Sequence, residues 1–149
     1  MSILPGWHPL VVHFPLALSV TGASLLVAAR RVKQERLAAT LGLVGTWNLC
    51  LGGVAVIFAL ATGLAAVVNL HVDAAAHLAI AVHLRWAVCS SLLLVLSAVW
   101  RGAGSAPQSR PSWIFLAVLL AATAALIVTG YHGGENVYRY AVGVERMQP

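Results

Sequence analysis

Charge is what this sequence has least of. Nine Lys/Arg and four Asp/Glu stand among 149 residues, 9% charged against 60% hydrophobic. A soluble domain of this size carries roughly 25% charged residues, so a water-coated globule is excluded. Mean hydropathy is +0.89, and the chain reads as a membrane protein. The net charge of +5 does not signal a nucleic-acid partner, because the basic residues are few and sit in turns between apolar stretches. Cysteine is scarce as well. Cys50 and Cys89 fall inside apolar segments, which favours reduced packing residues over a disulfide, and no Cys-x-x-Cys-His haem-attachment motif is present. The first seven residues lack the basic n-region of a signal peptide, so the N-terminus is expected to be retained.

What the chain does have is long uncharged runs, over residues 9–29, 37–72, 86–100 and 111–134. A spanning helix needs about 20 mostly apolar residues. The first and fourth runs fit one helix each. The second is too long for one crossing and should end in a turn near residues 69–73; the third needs residues 77–85 to complete it. The expected architecture is a single all-α domain, 1–149, of four transmembrane helices at about 9–29, 38–67, 77–100 and 112–131 in an up-down bundle. Arg30, Arg31, Lys33, Arg36, Arg101 and Arg110, six of the nine basic residues, fall in the first and third loops. The positive-inside rule makes that side cytoplasmic and both termini external. Trp7, Trp100 and Trp113 stand near helix ends, where interfacial aromatic anchors belong.

On that map all six histidines take the outer side: His8 and His13 at the start of the first helix, His71 in the outer loop, His77 and His83 in the third helix, His132 after the fourth. Ionisable residues in a membrane default to functional hypotheses. His13 and His83 are expected at similar depth, with small neighbours (Ala17 and Ser24; Ala87, Ser90 and Ser97) that leave room for a flat group. A haem held by one imidazole from each of two helices suits such a pair, with Arg85 and Arg139 placed to receive its propionates and His8 and His132 at the rim for a second site. The bland readings are that His71 and His77 hydrogen-bond at the interface, and that Arg85 pairs with Asp73 or Glu135. Copper or zinc ligation by several of these histidines stays open, although no thiolate lies on that side and no His-Glu-x-x-His motif is present. Gly45, Asn48 and Gly52 mark a close-packed face of the second helix with the Asn amide bonding across helices. Residues 121–125 read as another small-residue face. Pro9 suits the first helical turn, and Pro15 should bend the first helix just beyond His13.

One set of motifs carries a resemblance: His8-Pro9-Leu10-Val11-Val12-His13-Phe14-Pro15, Thr62-Gly63, His83, Gly133-Gly134-Glu135-Asn136-Val137-Tyr138 and Val142-Gly143-Val144. Together they resemble a family of small bacterial four-helix membrane proteins of no settled activity, over nearly the whole chain. Some members of that family are joined to Rieske-type iron–sulfur domains, which implies an electron-transfer setting. The resemblance carries over to His8, His13, His83 and the Gly133-Gly134 turn, and departs at Tyr140-Ala141, where His-Gly is expected. The leading expectation is a subunit of the bacterial inner (cytoplasmic) membrane that binds haem b. It would carry electrons near the outer face, within a respiratory or photosynthetic complex and toward an outer-face redox partner, without catalysing substrate chemistry alone. The alternatives are a cofactor-free structural subunit and an outer-face copper or zinc protein.

Overall fold

The computed structural model describes residues 7–68, 72–104 and 106–144. Among them there are five helices and no strand: α1 (Trp7–Val11), α2 (His13–Arg31), α3 (Glu35–Val68), α4 (Ala74–Gly104) and α5 (Trp113–Tyr138). Trp7–Arg31 acts as one span, so four segments are long and apolar enough to cross a membrane. Each helix packs on its neighbour in sequence, and α2 closes the ring against α5.

The first span is interrupted at Val12, just before His13. Pro15 has no N–H to give the Val11 carbonyl, so the ladder loses a rung there. Val12 itself keeps helical angles, φ −63° and ψ −21°, and its N–H still reaches the His8 carbonyl at 3.1 Å.

The other helices run longer than their expected bounds. At 1.5 Å per residue the 34 residues of α3 measure ~51 Å, well beyond the ~30 Å hydrocarbon core. The turn expected near 69–73 falls partly on residues 69–71, outside the described residues. Asp73 caps α4, its carboxylate accepting the Ala76 N–H at 2.8 Å, and Ser112 caps α5 by accepting from Phe115 N–H at 3.2 Å. α5 continues through Gly133-Gly134, which the sequence reads as a turn, to Tyr138. A helical glycine costs only about 1 kcal/mol, and those last turns bury Asn136. The helix stops where Ala141 turns left-handed at φ 52°, with Ala141 N–H on the Val137 carbonyl at 3.0 Å, the single bond of an αL ending, and Val142 N–H on the Asn136 carbonyl, also at 3.0 Å.

Leu26, Leu49, Leu94, Leu116 and Leu119 form the centre of the bundle. α2 meets α3 through small residues: a Cβ added to Gly45 would lie 2.9 Å from Leu26 Cγ, and one on Gly22 would lie 3.1 Å from the Gly45 carbonyl oxygen. The expected role of Asn48 across helices is not formed; its amide donates back to the Val44 carbonyl at 2.9 Å. Of the alanine run, Ala122 and Ala125 are buried while Ala121 and Ala124 are exposed. Cys50 and Cys89 are both free thiols.

Candidate functional site

At the end of the bundle opposite the basic loops, His8 and His83 come together, their ring centres 6.4 Å apart and their planes at 79°. The expected partner of His83, His13, is exposed on α2. The cause is helical phase. Five residues turn the chain by about 500°, placing His13 roughly 140° round from His8, so one of the two faces the bundle and the other faces away.

Each ring sits in a notch of the same design. His8 Nδ1 lies 3.1 Å from the Ala59 carbonyl and 3.2 Å from Thr62 Oγ1. The Thr62 hydroxyl already donates to the carbonyls of Phe58 and Ala59, each at 3.0 Å, so it can only accept from the ring. Four residues after Ala59 comes Gly63, where a Cβ would stand 2.9 Å from His8 Cε1. His83 Nδ1 lies 3.0 Å from the Thr129 carbonyl; four residues on, a Cβ at Gly133 would stand 3.2 Å from His83 Cε1. A helical carbonyl thus accepts a second hydrogen bond, and a glycine one turn later leaves space for the ring that makes it. Beneath His83, Thr129 Oγ1 donates to the Ala125 carbonyl at 2.9 Å and accepts from Ser90 Oγ at 3.1 Å.

These partners settle the tautomer. Carbonyl oxygens only accept, so in both neutral rings the proton is on Nδ1 and the lone pair on Nε2. A backbone acceptor on one ring nitrogen is also the usual support of a metal-ligating histidine. Along α4, His83 is 18 residues from Arg101, or ~27 Å, so the pair stands nearly a hydrocarbon thickness away from the basic end.

None of the remaining candidates among the described residues hydrogen-bonds to either ring. His77 is exposed, and His71 lies outside the described residues. His132 is half-buried, with Nδ1 3.3 Å from Glu135 Oε2. Arg139 donates to the other oxygen of Glu135 at 3.0 Å, a bond that raises its pKa above the ordinary arginine value. The Glu135 carboxylate is therefore shared between His132 and Arg139, and Arg85 pairs with neither it nor Asp73 but is exposed. No group of three His, Cys, Asp or Glu able to hold a metal ion occurs among the described residues.

Sequence reasoning missed Ala59 and Thr129 as acceptors. The signal was present in Thr62-Gly63 and Gly133-Gly134, whose glycines each follow an accepting carbonyl by one turn. It also missed the burial of Arg101, read as a loop cation but 3% exposed.

No curated protein and no solved structure matches the chain. A family described as predicted membrane proteins, DUF2231, matches residues 5–146, a stretch that takes in all five helices and both histidine notches. The four apolar spans and this match agree, and the chain belongs to that family of membrane proteins.

Proposed function

We propose that the histidine end of the bundle is a b-type haem site, which His8 and His83 would hold, and that the protein carries electrons as one subunit of a larger membrane complex. The observation that carries this reading is the pair of Nε2 lone pairs, without a hydrogen-bond partner among the described residues, each on a ring fixed through Nδ1 to a main-chain carbonyl. The ring centres stand 6.4 Å apart, so both imidazoles would be within reach of one bound group. The number of ligands argues for haem over zinc or copper. Structural zinc takes four protein ligands and catalytic zinc three, whereas a porphyrin supplies four of its own and asks the protein for two.

When bound, the group would supply reversible one-electron chemistry. The chain's part is to hold two imidazoles in one tautomer and one orientation: α3 fixes His8, α5 fixes His83, and the two glycines let the rings approach. We place this site on the outer side of a bacterial cytoplasmic membrane, because the basic loops at the other end belong inside. There it would face an outer-face redox partner of a respiratory or photosynthetic complex. A second reading has one specific observation in its favour: the same hydrogen bonds staple α1 to α3 and α4 to α5, which a cofactor-free structural subunit would also use.

A reduced-minus-oxidised absorption spectrum of the protein purified in mild detergent separates the two. The haem reading expects a sharp α-band, lost or converted to high spin in His8→Ala and His83→Ala and unchanged in His13→Ala and His77→Ala. A wild-type protein without haem, or a spectrum that survives both His8→Ala and His83→Ala, overturns it.

A further inference from the structure

We propose that the basic end of the bundle binds the phosphate of an anionic lipid headgroup in a cavity walled by Arg101, Arg110 and Ser112. Arg101 is a buried cation without a counter-charge among the described residues. It is 3% exposed, and none of the three ion pairs among the described residues involves it. Its guanidinium donates to neutral oxygens alone: Nε to Thr46 Oγ1 at 3.1 Å, Nη1 to Ser109 Oγ at 3.2 Å, and Nη2 to the carbonyls of Pro107, at 3.0 Å, and Ser109. Those four bonds leave one of its five N–H groups unused. Taking a charge out of water without an opposite charge is costly, and the space beside Arg101 is where one fits.

That space is a cavity of about 140 Å³ bounded by Trp100, Arg101, Arg110, Pro111, Ser112 and Phe115. Arg110 brings a second guanidinium, which is held in place by the carbonyls of Ala29 and Arg30, each at 3.2 Å, and by exposed Glu35 at 3.0 Å. Ser112 is the N-cap of α5, so the positive end of that helix dipole also points to the cavity. Arginine, helix N-terminus and a polar wall together recognise phosphate.

The wall's other half identifies the source as lipid. Trp100 and Phe115, in T-shaped contact at 5.5 Å, belong to spanning segments, and Trp100 is 47% exposed on the side of the bundle. A headgroup held at the arginines would have its acyl chains running past these rings into the bilayer. Basic pockets between transmembrane helices are suited to anionic headgroups. Arg30 and Arg31 add positive charge nearby, their guanidinium carbons 5.3 and 5.5 Å from the Trp113 ring centre.

The test uses the full-length protein in neutral detergent, titrated separately with phosphatidylglycerol, phosphatidylcholine and inorganic phosphate. Thermal midpoint and tryptophan fluorescence are read at each step. Phosphatidylglycerol is expected to raise the midpoint saturably, while the other two do not. Arg110→Gln is expected to weaken half-saturation about tenfold. Because Arg110 also braces α2, Ser112→Asp provides the second arm: Asp keeps the N-cap and places a carboxylate where the phosphate would sit. That variant should start at or above the wild-type midpoint and show no response to phosphatidylglycerol. An equal response to phosphatidylcholine, an equal response to inorganic phosphate, or a wild-type response in Ser112→Asp overturns the proposal.

Discussion

Gly133 and Gly134 are neighbours in the same helix and differ in what a methyl group would meet. At Gly134 an added Cβ finds nothing within 4 Å; at Gly133 it lies 3.2 Å from His83 Cε1 and 3.5 Å from Nδ1. Replacing either by alanine removes the same helical penalty, about 1 kcal/mol, so that part cancels in a comparison. What remains is the displacement of one imidazole. Weakening the hydrogen bond from His83 to the Thr129 carbonyl costs about 0.5–1.5 kcal/mol, and forcing the ring off its rotamer costs about 0.5–1.5 kcal/mol more. Gly133→Ala is therefore expected to be less stable than Gly134→Ala by about 1–3 kcal/mol. The assay is reversible unfolding in mixed micelles, followed by circular dichroism as the denaturing detergent fraction rises. In a His83→Ala background the gap should close, since the ring is gone; this double-mutant cycle isolates the contact. The same logic extends to Gly63→Ala, where the 2.9 Å approach to His8 is tighter still. If Gly133→Ala and Gly134→Ala agree within about 0.5 kcal/mol, the notch does not hold His83 and the tautomer argument built on it falls.

Further outcomes follow from other parts of the bundle. Ala141 stands at φ 52°, a conformation that costs an L-residue about 1–2 kcal/mol; Ala141→Gly should gain about 0.5–1 kcal/mol net of unfolded-chain entropy, and a loss of stability in the same unfolding assay would contradict the left-handed ending. Thr46→Val removes the acceptor of the buried Arg101 Nε–H and should cost about 1–3 kcal/mol; a neutral result would mean that Arg101 does not depend on this contact. Reporter fusions after Gln108 should be active for a cytoplasmic reporter and silent for an exported one, and the reverse pattern would invert the sidedness assigned to the histidine pair.

How much of the site could be read in advance divides along physical lines. The one-sidedness of the histidines needed only the order of apolar runs and loops, and His83 was singled out on its depth within an apolar helix. The expectation that His13 faces His83 was not met, for a reason that hydropathy cannot express. Depth estimated from a helix boundary ignores phase, and the two histidines of the first span differ by about 140° in phase. Asn48 failed similarly: its amide had a carbonyl one turn back on its own helix, and local bonding of this kind competes with bonds across helices. The Tyr140-Ala141 departure is half explained, because the left-handed backbone at Ala141 is where glycine is at ease.

The sequence by itself determined that the chain lives in a membrane, that it crosses as four helices, and that cations gather at one end while histidines gather at the other. Those are one-dimensional properties, set by how many apolar residues follow one another before a charge interrupts them. Tertiary structure alone decided which histidine faces inward, which carbonyls hold the two rings through Nδ1, and that Arg101 is buried instead of solvated. Each depends on a contact between residues far apart in sequence, such as Ala59 with His8 or Thr46 with Arg101. Whether such a contact forms is settled when helices close to van der Waals distance, where a single glycine Cβ decides if an imidazole fits.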